Sequence, residues 1–135
     1  MERHCRNAEA VARFLASDDR ISWINYPGLP DSPYRTLVQK YMPGGTCGVI
    51  SFGIRGGREK AVAFMEALKL AAIVTHVADA RTCVLHPAST THRQLSDAEL
   101  QAAGISPDMI RLSVGIEHVE DILADIRQAL EACSA

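Results

Sequence analysis

The sequence of 135 residues contains no apolar run that approaches the roughly 18 residues of a membrane-spanning helix. The charged residues at its start are followed by no apolar stretch, so this segment is unlike a secretory signal. The sequence also lacks internal repeats, low-complexity stretches and linkers. These absences predict a single cytoplasmic domain over residues 1–135, with no membrane partner.

Neither sign of charge is in marked excess, since 14 Lys and Arg stand against 16 Asp and Glu, for a formal net charge of -2. Binding to nucleic acid requires basic side chains clustered on one face, so we expect no nucleic-acid partner. Hydrophobic residues make up 47% and charged residues 22% of the chain. Both fractions are typical of a folded globular domain and unlike those of a disordered chain.

The cysteines are few and scattered, with no Cys-x-x-Cys pair: Cys5, Cys47, Cys83 and Cys133. Zinc sites and redox couples place cysteines close together in sequence, so we expect free thiols and no metal site. Cys83 would be reactive if it were exposed beside a cation, but a buried cysteine that packs as a small apolar side chain is the more common case.

Apolar spacing and start signals predict helices over residues 3–16, 33–41 and 58–71, over a short segment after Ser96, and from Val119 onward. Ser32 followed by Pro33 is typical of an N-cap and a first helical residue. Ser96 and Glu99 have the spacing of a capping box, in which each side chain bonds the other's backbone amide. The last helix is predicted to point Asp125 outward.

β-rich runs interleave with these helices at residues 21–25, 46–52, 73–77, 82–85 and 110–114. The arrangement predicts an α/β fold, an α+β sandwich with a sheet of about four strands and helices packed on one face. In the last strand, Ile110, Leu112 and Val114 alternate with Arg111 and Ser113. That strand therefore has one apolar face and one face that carries a guanidinium.

Several motifs follow one another along the chain: Tyr26-Pro27-Gly28-Leu29, Tyr41 to Gly45, Ser51 to Gly57, His86 to His92, and Arg111 to Glu117. In this order they resemble the C-terminal domain of the Cys/Met metabolism pyridoxal-phosphate enzymes, and above all its O-acetylhomoserine sulfhydrylase branch. The resemblance covers the whole chain but only the last third of a full family enzyme. It implies the C-terminal domain of a fold-type I transferase, with a mostly antiparallel sheet.

The resemblance implies a transferase reaction of methionine biosynthesis, in which sulfide replaces the acetate of O-acetyl-L-homoserine to give homocysteine. Pyridoxal phosphate acts as the electron sink and is held by a lysine of the large preceding domain. None of the three lysines of the chain lies where the family places that lysine: Lys40, Lys60 and Lys69. We therefore expect a C-terminal substrate-binding domain without the cofactor-binding domain, with no catalytic residue of its own and no activity in isolation.

Two residues are predicted to bind the amino-acid substrate by this resemblance. Arg111 matches the family arginine that clamps the substrate carboxylate, and a planar guanidinium suits that task because it donates two parallel hydrogen bonds. Thr82 occupies the place of a family serine near the same carboxylate. The chain departs from the family pattern at His76, at Ala78, where glycine is common, and at Cys83.

Each candidate has a structural alternative. Without the family motif, Arg111 would be interpreted as a solvent-facing or ion-paired strand residue, and Thr82 as a β-branched residue satisfied by its neighbours. His86 and His92 are predicted to be structural loop residues rather than metal ligands or bases. The segment 53–57 lacks the lysine and hydroxyl of a phosphate loop and is predicted to be a tight turn into a helix.

A second functional hypothesis is a free-standing, non-catalytic interaction module. The face that the cofactor domain covers in a full family enzyme would then be exposed. Exposed apolar surface must be covered by a partner or by self-association, so we expect a homo-oligomer.

Overall fold

The computed structural model describes residues 1–134, in which five α-helices alternate with five strands. Their bounds are α1 Glu2–Ala16, β1 Ile21–Asn25, α2 Arg35–Tyr41, β2 Val49–Ile54, α3 Gly57–Ala67, β3 Ala72–Ile73, β4 Cys83–Leu85, α4 Asp97–Ala102, β5 Met109–Ser113 and α5 Val119–Ser134. A short 3₁₀ turn spans Pro87–Ser89. Within residues 1–134, no helix is long and apolar enough to cross a membrane.

The strands form one sheet in the order β1-β2-β5-β4-β3. The three pairs β1–β2, β2–β5 and β5–β4 are antiparallel, and only β3 runs parallel to its neighbour β4. The predicted α/β fold with a mostly antiparallel sheet is confirmed. β3 is a two-residue edge strand, because the chain leaves the sheet after Val74, whose amide donates to Val84.

One face of the sheet is covered by α1, α3 and α5, as predicted. The core between them is a single cluster of buried apolar residues that includes Val11 and Leu15 of α1, Phe64 of α3 and Ile126 of α5. Phe52 of β2 meets Phe64 edge-to-face, with ring centroids 5.9 Å apart. Burial of this apolar surface orients β5, whose other face is left to carry polar side chains.

Within β5, Ile110 and Leu112 are fully buried beneath the helices, while Arg111 and Ser113 project from the opposite face. The strand alternation predicted from the sequence is therefore confirmed. β5 is the central strand of the sheet, since it pairs with β2 on one side and β4 on the other. Arg111 thus lies on a strand that is hydrogen-bonded to a neighbour on each side.

The predicted start of α2 is wrong. The helix begins at Arg35, and Ser32 and Pro33 lie in the turn that precedes it. The Ser32 hydroxyl accepts a hydrogen bond from the amide of Tyr34 at 3.3 Å, which closes a local turn two residues long instead of capping a helix. In contrast, the capping box of Ser96 and Glu99 is present at the start of α4, as predicted.

Asp125 does not point outward, and this prediction is also wrong. Its side chain is buried against the segment that follows α3, where its carboxylate accepts hydrogen bonds from the backbone amides of Lys69, Leu70 and Ala71 at 2.8, 2.9 and 3.1 Å. These amides lie just beyond the helix and have no partners within it. The Asp125 carboxylate therefore lies inside the fold because it accepts hydrogen bonds from these three backbone amides.

We expect Asp125→Asn to lower the free energy of unfolding by about 2–3 kcal/mol, because an NH₂ group then faces backbone donors that need an acceptor. The measurement is urea denaturation followed by circular dichroism. Glu131→Gln, which removes a charge from the exposed side of the same helix, is the matched control and should change stability by less than about 0.5 kcal/mol. Equal effects of the two substitutions would contradict the assignment.

Candidate functional site

Arg111 lies on the polar face of β5, opposite Ser51 of β2 and Leu85 of β4. Its Nη2 donates to the backbone carbonyl of Thr75 at 2.7 Å, and its Nε is buried without a hydrogen-bond partner. None of the ion pairs formed among residues 1–134 involves Arg111. The guanidinium is therefore a partly buried cation with unused donors, which is suited to binding an anion.

Thr82 is buried, with 1% of its surface exposed, and both of its donors are already used. Its amide donates to Glu117 Oε1 at 2.6 Å and its hydroxyl to Glu117 Oε2 at 2.9 Å, while the same hydroxyl accepts from the amide of Gly115 at 3.0 Å. This geometry favours the structural interpretation of Thr82. Direct contact of Thr82 with a substrate stays a prediction, and the proposal below rests on Arg111.

Glu117 is a residue whose role the sequence did not predict. Its carboxylate holds Thr82, and its backbone carbonyl accepts from the side-chain amide of Asn7 in α1 at 3.0 Å. Gly115 lies so close to this arrangement that a Cβ there would stand 2.3 Å from Glu117 Oε2 and 2.4 Å from the carbonyl oxygen of Ala80. The motif from Arg111 to Glu117 thus needs its glycine for close approach and its glutamate as a clamp.

The loop between β3 and β4 lies beside Arg111 and contains Ala78 with φ of 58°, the only non-glycine residue of the described chain in the left-handed region. The amide of Ala78 donates to the Ser113 hydroxyl at 3.1 Å. The turn therefore keeps a glycine-like conformation although an alanine occupies it, at a cost of roughly 1–2 kcal/mol. Ala78 thus adopts the positive φ that glycine, common in the family at this position, would adopt without strain.

Asp79 stabilises the next part of the same loop. Its carboxylate accepts from the amide of Arg81 at 3.0 Å and contacts His76 Nδ1 at 3.3 Å. These interactions, the backbone one first, lower the pKa of Asp79 to about 2. Its backbone carbonyl lies 3.0 Å from Nε2 of His4 in α1, which ties the loop to the helical layer.

His86 is fully buried and has partners on both ring nitrogens. Nε2 lies 2.9 Å from the carbonyl of Pro107, which can only accept, so Nε2 carries the proton and Nδ1 accepts from the Ser89 hydroxyl at 2.8 Å. Burial lowers the pKa of His86 below its usual value. The ring Nδ1 of His92 lies 2.9 Å from the Thr91 hydroxyl, and its backbone amide donates to the carbonyl of Pro87 at 2.9 Å. The contacts of His86 agree with the structural role predicted for it, and the structural role of His92 stays a prediction.

The cysteines and the segment 53–57 have the structural roles expected of them. All four cysteines of the chain are free, and burial raises the pKa of the Cys83 thiol. Within residues 1–134, no three His, Cys, Asp or Glu side chains are grouped so that they could hold a metal ion. Gly56 and Gly57, with φ of 101° and 74°, form the tight turn that leads into α3.

Two cavities of the domain lie away from Arg111. One of about 500 Å³ is lined by the end of α1 and the loop after β1, and one of about 630 Å³ by the start of α1 and residues 44–46. Neither of them is lined by Arg111 or Thr82.

Comparison with known proteins shows the family to which this chain belongs. The family model described as Cys/Met metabolism PLP-dependent enzyme matches residues 1–131. The chain belongs to this family of PLP-dependent enzymes. O-acetyl-L-homoserine sulfhydrylase 1 of Thermus thermophilus is 48% identical over 96% of the chain, and homocysteine synthase of Schizosaccharomyces pombe is 47% identical over 97%. The chain spans only about a third of these relatives, 31% and 30% of their lengths.

A solved structure supports the same assignment. A Campylobacter jejuni protein described as an O-acetylhomoserine (thiol)-lyase, which contains N'-pyridoxyl-lysine-5'-monophosphate, superposes with a TM-score of 0.89 and 41% sequence identity. The match covers 96% of this chain and 31% of that one. Both the fold and the resemblance to the O-acetylhomoserine sulfhydrylases are confirmed.

Family members use pyridoxal phosphate, and the lysines of this chain do not supply its anchor. Lys60 Nζ donates to the carbonyl of Cys133 at 2.5 Å, and Lys40 Nζ lies 4.9 Å from the ring centroid of Tyr41. Lys69 bonds Asp125 through its backbone amide. None of these contacts involves Arg111 or the loop beside it.

We expect Ala78→Gly to raise the free energy of unfolding by about 0.5–1 kcal/mol, because relief of left-handed strain exceeds the entropy that glycine adds to the unfolded chain. The measurement is thermal or urea unfolding. Ala80→Gly is the matched control, since Ala80 is equally exposed but has no positive φ. That control should be neutral or destabilising, and a gain at both positions would contradict the strain argument.

We expect the stability of the domain to fall as the pH is lowered from about 7 to 5, in part because the buried neutral His86 must bind a proton. Its folded pKa is lowered, so the unfolded chain binds more protons just below pH 6.5, and one such group contributes a slope of at most about 1.4 kcal/mol per pH unit. His86→Gln should flatten the profile obtained by urea denaturation. The exposed control His118→Gln should leave the slope unchanged, and an unchanged slope in His86→Gln would refute the role.

Proposed function

We propose that the chain is the C-terminal domain of an O-acetylhomoserine sulfhydrylase-type enzyme and that Arg111 binds the carboxylate of the amino-acid substrate. The observation that carries this proposal is the state of Arg111, a partly buried guanidinium with one bond to a backbone carbonyl, a buried Nε without a partner and no ion pair. A cation held in this way on the central strand is a ready partner for a carboxylate.

The enzyme reaction in this proposal is the replacement of acetate by sulfide on O-acetyl-L-homoserine, which gives homocysteine for methionine biosynthesis. Pyridoxal phosphate, held by the cofactor-binding domain, supplies the electron sink. The contribution of residues 1–135 is to fix the carboxylate end of the substrate, so that its reacting carbons are presented in one orientation. The substrate is a small polar amino acid, and a cytoplasmic location is part of the proposal.

A free-standing interaction module is the second candidate function, and one observation favours it. Large apolar side chains are exposed near the β3 edge of the sheet, with Leu70, Ile73, Val77 and Ile116 each 41–54% accessible. Such surface is characteristic of an interface with another protein or with a second copy of the chain. Under this hypothesis the domain forms a homo-oligomer without catalysis.

The decisive experiment is a chimera in which residues 1–131 replace the matching third of the Thermus thermophilus enzyme. We expect the chimera to form homocysteine from O-acetyl-L-homoserine and sulfide, while the 135-residue chain alone forms none. Bound cofactor is checked by its absorbance. A chimera that binds the cofactor but forms no homocysteine would favour the interaction module.

In this chimera, Arg111→Lys should raise the KM for O-acetyl-L-homoserine roughly 10-fold to 100-fold, because one ammonium cannot replace two parallel hydrogen bonds. The KM for sulfide should not change, since sulfide has no carboxylate. Arg127→Lys, on the exposed side of α5, is the control and should stay within about twofold of the unsubstituted chimera. An unaltered KM in Arg111→Lys would refute the carboxylate-binding role.

A further inference from the structure

The loop of residues 74–81 is fastened to the polar face of β5 at successive positions. Arg111 donates to the carbonyl of Thr75 at 2.7 Å, and two residues further along the strand the Ser113 hydroxyl accepts from the amide of Ala78 at 3.1 Å. Arg111 and Ser113 lie on the same face because side chains alternate along a strand. The loop thus spans two adjacent attachment points.

Ser113 is placed to hold this loop firmly. Its side chain is 2% exposed, and it lies between Val49 of β2 and Cys83 of β4 in the sheet register. The residue that it holds, Ala78, is exposed and strained, with φ of 58°. The contacts of Asp79 and Ala80 hold the following part of the loop, and the hydrogen bond from the amide of Ala78 to the Ser113 hydroxyl holds the strained residue itself.

The orientation of Arg111 depends on this turn. Among the described residues, the Thr75 carbonyl is the sole hydrogen-bond acceptor of the guanidinium. A group that binds a carboxylate through two parallel hydrogen bonds must be oriented to within about 10–20°. Movement of the loop would shift the carbonyl and leave the guanidinium free to rotate.

We propose that Ser113 is a positioning residue, whose hydroxyl holds the 74–81 loop so that the Thr75 carbonyl fixes the guanidinium plane of Arg111. The effect of Ser113 on substrate affinity rests on the proposed function of Arg111. The structural step, from Ser113 to the loop to Arg111, is independent of that function and is tested separately.

The structural step is tested on the ¹⁵N-labelled 135-residue chain by NMR. Ser113→Ala should speed the rotational exchange of the Arg111 Nη groups about fivefold, the effect of losing one hydrogen bond, and Ser113→Thr should retain the slow exchange of the natural chain. Ser22→Ala, which removes a hydroxyl bonded to Asp108 in the same sheet, is the control and should have no effect.

Unchanged exchange in Ser113→Ala, or equal acceleration in the control, would overturn the proposal. A measurement on the natural chain covers the case in which Ser113→Ala does not fold. The amide of Ala78 lies in an exposed residue, yet its hydrogen exchange should be slowed about tenfold or more relative to an unbonded amide. Exchange at the unprotected rate would equally overturn the proposal.

The functional step is tested in the chimera with the cofactor domain. Ser113→Ala should raise the KM for O-acetyl-L-homoserine about fivefold and leave kcat and the KM for sulfide within about twofold. When Arg111→Lys is already present, Ser113→Ala should not raise the KM for O-acetyl-L-homoserine further, because the guanidinium through which Ser113 acts is absent. An effect of equal size in both backgrounds refutes positioning by Ser113, whereas an unaltered KM in Arg111→Lys alone refutes the carboxylate-binding function.

Discussion

The pair of hydrogen bonds between Thr82 and the Glu117 carboxylate is the interaction on which the polar side of the domain depends. The carboxylate accepts from both the amide and the hydroxyl of Thr82, and so joins the segment after β5 to the start of β4 across 35 positions of sequence. The close approach needed for this bond leaves no room for a side chain at Gly115. Because the loop beside Arg111 ends at Thr82, the same clamp fixes one end of that loop. The loop that contacts the Arg111 guanidinium is therefore held at its Thr82 end by Glu117.

Much of the fold was predictable from local pattern. The α1 and α5 helices have an apolar stripe that only a sheet face can cover, and the capping box at Ser96 needs no information beyond four residues. Pattern failed where a side chain bonds a partner that helical spacing does not show, near in sequence for Ser32 and distant for Asp125. Ser32 is used in a turn before α2, and Asp125 occupies a polar helix position but is drawn inward by amides more than 50 residues away. No helical periodicity records such a partner.

The candidate site was also predictable from the sequence only in part. Alternation in β5 was enough to place Arg111 on the polar face, but the proposal that it binds a carboxylate came only from the family resemblance. The roles of Glu117 and Ser113 were not predicted, since each bonds a segment about 35 residues earlier in the chain. For Thr82 the hydroxyl that suggested a ligand is used within the fold. A hydroxyl near a site is a weak signal until its own partners are known.

The energetic cost of Arg111 is the strongest reason to look for an anion beside it. A buried Nε without a partner and a cation without a counter-charge both oppose folding, and replacing such a residue by an apolar one commonly stabilises a domain. The strain at Ala78 adds to this cost within the same loop. Unfavourable features that occur together in a fold otherwise well satisfied are typical of a binding site, where a ligand supplies the missing partner. In a chain that spans 31% of the Thermus thermophilus relative, our proposal that Arg111 binds a carboxylate gives these costs a purpose, because the ligand would supply the missing partner.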